Sequence, residues 1–321
     1  MVDYRTVREQ EPKAQSPGSR FRMDERFINI TLVSAYILDS LRMLTAPWRF
    51  FQINARHFSR HKGIYSKLAI DHMIPPKWRL QQCPLVDGYL PPEFPVFIKP
   101  EWGENGQGVV RADSREQYQQ VVNSLANADR QYIVQQAAPG TREFEVYTVY
   151  EHADKPLVIT VTEAVNGSHL YPVNSIKNGL TRYLDITGQF SADQLDKLAA
   201  FKREIGKFGH SRVCLRAHSI ADLLAGHFHV VELNLFTPMP INLMDARYSL
   251  GRQLRFIGRV AHALALATRA LDGERCTDPV FSRMMMYSHR RRPDRMTSRL
   301  HEKTEKTAVR RDHQKVHGGL Q

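Results

Sequence analysis

The stretch FPVFIKPEWGENGQGVVRA, Phe94 to Ala112, ends an apolar run in Lys99 and Pro100 and then places Gly103, Gly106 and Gly108 within six residues before apolar residues resume. Such a pattern restricts the chain to strand, pliable loop, strand. Glycine reaches backbone angles closed to other residues and lets main-chain N–H groups approach a ligand closely. Consecutive N–H groups of this kind make a cradle for anions, and a lysine ahead of the loop adds a point charge suited to a polyphosphate. It is not a Walker loop, because the lysine precedes the glycines and no Gly-Lys-Ser/Thr follows. A dinucleotide fingerprint is excluded as well, since no helix opens directly after the last glycine. Taken alone, the stretch equally suits a hairpin turn with an exposed lysine.

The rest of the chain reads as mixed elements. Residues 1–22 are polar and Pro/Gly-punctuated, as in a disordered tail. Asp24 is placed to cap a helix on which Ile30, Val33, Ile37, Leu41 and Leu44 recur at helical spacing until Pro47. The aromatic and basic PWRFFQINARHFSRHK that follows reads as a docking helix or as an interfacial, partner-binding segment. A short helix carrying Lys67 ends at Pro75 and Pro76. Strands are expected at 95–99, 108–112, 131–136, 143–151 and 156–163, and helices at 114–126, 192–208 and 248–271. Two further strands joined by a tight turn at Ala225-Gly226 fit RVCLRAHSIADLLAGHFHVVELNLF. The class is α+β, with a helical N-terminal segment at 23–63, a main domain at 64–272 with lobes of about 64–132 and 133–272, and a basic tail at 273–321.

Composition narrows the partners. A formal charge of +12 favours acidic ones, and His289 to Gln321 carries ten Lys/Arg against four Asp/Glu, half of that excess. Nucleic acid or anionic lipid is therefore an accessory expectation for the tail, although its mixed signs argue against tracking a groove. Three unpaired cysteines, Cys83, Cys214 and Cys276, give no disulfide framework or zinc spacing and point to a reducing compartment. Without a signal sequence or an apolar run of membrane-spanning length, the expectation is a cytoplasmic protein, at most peripheral to a membrane.

IKPEWGENGQGV, YIVQQAAPGTREFEV and FHVVELN occur in that order. The succession, over roughly residues 64–250, resembles the ATP-grasp superfamily, and within it the D-alanine–D-alanine-ligase-like carboxylate–amine ligases. The resemblance implies two α+β lobes clasping ATP, with Mg2+, or Mn2+ if tolerated. It implies that Lys67 and Lys99 reach the phosphates, with Lys177 a further phosphate contact. Gly103, Gly106 and Gly108 match the lid, and Gln135, Gln136 and Ala138 the hinge that holds adenine, for which YIVQQ would supply a free strand edge. Glu143 matches the acid on the ribose, Glu232 and Asn234 the metal ligands, and Arg216 the catalytic arginine of acyl transfer.

The chain departs from that pattern in three places. The family sets an aspartate across from the glutamate. Pairing His218 with Glu232 and Arg216 with Asn234, with 223–227 as the loop, puts His218 there as a poor magnesium ligand. The glycine turn after Glu-x-Asn is replaced by NLFTPMPINLM, whose Pro238 and Pro240 lack N–H donors. Finally, about 40 helical residues stand where relatives carry a whole α/β domain, so this segment, a partner or a second copy of the chain must complete the substrate site. The implied function is an ATP-dependent ligase of a small-molecule carboxylate and an amine through an acyl phosphate. The alternative is a nucleotide-binding module without ligation, acting as a regulator or scaffold.

Overall fold

The computed structural model describes residues 23–103, 106–126, 128, 130–151, 155–168, 170–271 and 279–290. Expectations for residues 1–22, and for the basic tail apart from 279–290, lie outside these.

Helix α1 (Glu25–Arg42) starts where Asp24 accepts from the Phe27 N–H at 3.0 Å. Two short 3-10 turns follow, Pro47–Gln52 and Ala55–His57, and then α2 (Lys67–Asp71), capped by Ser66. The first lobe is an antiparallel sheet of β1 (Gln82–Pro84), β2 (Val96–Pro100), β3 (Val110–Ala112) and β4 (Tyr132–Gln136), in the order β1-β4-β2-β3. Helix α3 (Arg115–Leu125) seals it, with Tyr118, Val121 and Leu125 joining Ile98, Val110 and Val134 in one core.

The second lobe holds β5 (Arg142–Val149), β6 (Val158–Val165), β7 (Arg182–Asp185), β8 (His210–Ala217) and β9 (His229–Asn234), antiparallel in the order β7-β6-β5-β8-β9. Alternation divides its residues. Phe144, Val146, Val213, Leu215 and Leu233 enter the core that includes Leu198 and Ile205 of α4 (Ala192–Ile205). On the opposite face, Tyr147 and Val149 are covered by α6 (Leu250–Arg269) and by Tyr36 of α1. Glu143 and Glu145, on that same face, are left to a cleft between the lobes.

The two-lobed α+β arrangement expected from the sequence is present, and its helical N-terminal segment packs against α6. Three local expectations are corrected. The connection between β8 and β9 is not a tight turn but a helix, α5 (Ile220–Ala225), capped by Ser219 and closed by Gly226 in the left-handed region. The stripe Ile30, Val33, Ile37, Leu41 and Leu44 is exposed, because α1 docks through Ile28, Leu32 and Tyr36 instead. Part of the stretch read as a basic tail forms α7 (Val280–Arg290), which buries Val280 and Met284 fully in the second-lobe core.

Candidate active site

A cleft separates the two sheets. It is lined by Lys67, Lys99, Gly103, Gly106, Gln135, Gln136, Ala138, Glu143, Arg216 and Glu232, so ten of the residues singled out from sequence share one cavity. Lys67 opens α2, which is held by Glu101: the Lys67 N–H donates to the Glu101 carbonyl, and the buried Glu101 carboxylate receives Ser66 Oγ and Lys62 Nζ. From there Lys67 Nζ lies 3.2 Å from Glu232 Oε1 on β9. Lys99, near the end of β2, donates to Gln135 Oε1 at 2.8 Å and to the Val231 carbonyl at 3.3 Å.

Burial sets the electrostatics. It pushes Lys99 down to about 8, even though Glu232 opposes the shift. Burial also raises Glu232, but Lys67 and Lys99 outweigh it and hold that carboxylate below its ordinary value. Glu143 rises to about 7 through burial and the adjacent Glu145, with Arg216 opposing. The cleft therefore sets two lysine cations beside Glu232, a firmly ionised carboxylate, and holds in Glu143 a carboxyl that titrates near neutrality.

In the glycine loop between β2 and β3, Gly106 has φ 68°, and a Cβ there would sit 3.0 Å from Ser175 Cβ, so this glycine lets the loop pack on residues 173–175. Gly108 does not line the cleft, although its neighbours Gln107 and Val109 do. Lys177 and His218 do not line the cleft, and His218 is an exposed residue beyond the end of β8. The free strand edge expected along YIVQQ is absent, because β4 pairs with β1 on one side and β2 on the other. Further on, the Ala137 N–H is taken by the Pro95 carbonyl, so an adenine edge would be read beyond β4, about Ala138.

The β8–β9 register differs from the expected one. Cys214 faces Glu232 and Arg212 faces Asn234, while Arg216 faces His229 across a bulge at Cys214/Leu215. Helix α5 takes up the residues that a tight turn would have left in the strands. The position opposite the glutamate is thus Cys214, not His218, and the arginine opposite the asparagine is Arg212, not Arg216. Arg216 is instead a clamp: it donates to the carbonyls of Gly140 and Leu170, lies over the Tyr171 ring and approaches Glu143 Oε2 at 4.0 Å. Asn234 lines a second cavity together with Arg212 and does not line the cleft.

Sequence reasoning missed Glu145. It pairs with Cys214, which pairs with Glu232, so three strands contribute one cross-sheet row. Ligand atoms of Glu143, Glu145 and Cys214 lie within 4.8 Å of one another. Burial raises the Cys214 thiol well above its usual value, as do the surrounding carboxylates. The signal was present in REFEV, where period-two spacing places Glu143 and Glu145 on one face.

Among solved structures, the chain is similar to VanG D-Ala:D-Ser ligase from Enterococcus faecalis, at 14% identity over 65% of this chain and 69% of that one, TM-score 0.41. It is similar to D-alanine–D-alanine ligase from Bacillus anthracis complexed with ATP, at 12% identity, 66% and 68% coverage and TM-score 0.44. The third is L-amino acid ligase from Bacillus licheniformis, at 16% identity, 65% and 50% coverage and TM-score 0.43. No family model and no curated protein matches the sequence. Among the described residues, no helix is long and apolar enough to cross a membrane.

Proposed function

We propose that the cleft binds ATP with Mg2+ and that the protein joins a carboxylate to an amine. The carboxylate oxygen attacks the γ-phosphorus, ADP leaves, and the amine then displaces phosphate from the acyl phosphate, losing a proton as the amide forms. The observation that carries this reading is the meeting of Lys67 on α2 and Lys99 on β2 with Glu232 on β9. Phosphoryl transfer asks the protein chiefly for positioning and charge stabilisation, and two converging lysines supply both. Glu143 offers a strong acceptor for ribose hydroxyls. A lid closing at Gly106 excludes water from a hydrolysable intermediate.

The donors fit a hard divalent ion in part. Glu232 and Glu145 offer oxygens, the ligands magnesium prefers, whereas a protonated Cys214 thiol between them offers none. Magnesium would neutralise phosphate charge at these carboxylates. Arg212, with its fork beside Asn234, takes the place proposed for the arginine of acyl transfer.

The thiol in the carboxylate position favours a second reading, a module that binds nucleotide without ligation. ADP and phosphate release, screened across amino acids and carboxylates beside calorimetry with MgATP, separates the two. Release that depends on an acceptor and disappears in Lys99→Ala, with the fold retained, supports the ligase. Tight MgATP binding without release under any acceptor supports the module, and full turnover in Lys99→Ala removes both.

A further inference from the structure

The second cavity, larger than the cleft, lies between α1, the Pro47–Gln52 turn, α6 and the sheet. Its position relative to the cleft follows from strand geometry. Glu232 and Cys214 line the cleft; Asn234 and Arg212, each two residues away on the same strand and face, line the second cavity. Two residues of strand span roughly 7 Å, so the two chambers abut along one cross-strand step. The loop after β6 joins them too, with Val173 in one and Ile176 in the other.

The chamber has a polar floor and apolar walls. Arg212 Nε stands 3.2 Å from Glu145 and its Nη1 donates to the Met239 carbonyl at 3.1 Å, which leaves part of the guanidinium fork for another acceptor. His210, 3% exposed, has an Nε2 with no hydrogen-bond partner among the described residues. Above this floor stand Leu32, Tyr36, Phe50, Phe236 and Leu264. At the rim, Val33, Ile37, Trp48, Phe281 and Met285 line the chamber yet are exposed. A rim of large apolar side chains facing water is the mark of a binding surface. The exposed stripe of α1 thus belongs in part to this mouth.

We propose that this chamber holds the apolar tail of a carboxylic-acid substrate, a medium- to long-chain fatty acid or an acid of similar bulk, with its carboxylate at Arg212. The inference rests on the ligase reading, for which it names the class of acid. A substrate as small as an amino acid has no use for such walls. An acid anchored at Arg212 would present its oxygen toward the Glu232 row, where the phosphate-handling lysines end.

The test is calorimetry on the full chain, without nucleotide, using acetate, octanoate and dodecanoate below the micellar range, with dodecylamine as a head-group control. MgATP is titrated separately into the same protein. Affinity should rise by up to about fourfold per buried methylene. It should fall at least about tenfold in Ile37→Trp, which fills the mouth from a solvent-facing position, and in Arg212→Met, with both variants checked by thermal melting. MgATP affinity should be unchanged in Ile37→Trp. Chain-independent binding in a protein that binds MgATP overturns the inference and spares the ligase reading. Dodecanoate affinity unaltered by Ile37→Trp means surface adsorption and overturns it, as does tighter binding of dodecylamine. Chain-dependent binding in a protein that ignores MgATP removes the ligase reading and leaves the tail pocket standing.

Discussion

Lys67 Nζ and Glu232 Oε1 face each other at 3.2 Å in the cleft, the cation from the first turn of a five-residue helix and the anion from a sheet edge strand. Neither group is fully exposed, and the pair holds one charge of each sign at the point where a polyphosphate and its metal would meet. A phosphate entering the cleft competes with Glu232 for Lys67, while a cation competes with Lys67 for Glu232. Nucleotide and metal are therefore expected to bind more tightly together than apart, because each replaces the partner that the other removes.

Lys99 should give nucleotide binding a basic limb. Its ammonium is held at about 8 against an ordinary 10.5, so charge at the phosphates is lost as pH rises through 8. Nucleotide affinity is expected to fall about tenfold per pH unit above that point. Lys99→Met should bind weakly and without the break. The sign for folding is opposite: between 8 and 10.5 the unfolded chain holds a proton that the native lysine has lost, so this group's destabilisation is complete below 8 and relieved toward 10.5. Calorimetry and melting across this range check both trends.

Glu143 costs stability at neutral pH. Its carboxyl is raised from 4.5 to about 7, so between those values the native protein keeps a proton that the unfolded chain has released. Stability falls across that window, and the loss is complete above 7. Glu143→Gln is expected to gain on the order of 1–3 kcal/mol at pH 8 and little at pH 4, while weakening nucleotide binding by about tenfold. Denaturant melts at the two pH values, with a nucleotide titration, decide it.

The two arginines should separate in kinetics. Arg212→Lys is expected to lower turnover by roughly a hundredfold with nucleotide affinity retained, as for loss of a charge-stabilising donor. Arg216→Lys, which loosens the clamp on Gly140 and Leu170 beside Glu143, should raise the apparent KM for ATP more than it lowers kcat. The reverse pattern would restore the catalytic role to Arg216.

Gly140 sits at φ 113°, and a Cβ there would lie 2.8 Å from the Ala217 carbonyl carbon and oxygen. Gly140→Ala is expected to destabilise by about 2–4 kcal/mol, since backbone strain and a clash with main chain add. The same substitution at the unobstructed Gly179 should cost little, and paired urea melts provide the comparison.

What the chain discloses locally was legible. Alternating apolar residues located strands, Asp24 and Ser114 marked helix starts, and the glycine spacing announced the loop between β2 and β3, because each depends on neighbours a few residues away. Lys67, Lys99, Glu143 and Glu232 could be named from motifs because each stands at a fixed place on its own element. The β8–β9 register could not, since six residues of α5 and one bulge decide which side chain faces Glu232.

Sequence by itself therefore determined the α+β class, most of the strands and the longer helices, and five of the charged residues in the cleft. Only the tertiary structure decided that Cys214 and Arg212 stand opposite Glu232 and Asn234, that Glu145 joins their row, and that Val33 and Ile37 of the α1 stripe rim a chamber instead of entering a core. Periodicity is a property of one segment and follows from its backbone geometry. Register across strands, and the choice of which helical face is buried, are properties of pairs of segments, set by the bulges, caps and packing partners that meet only when the chain is folded.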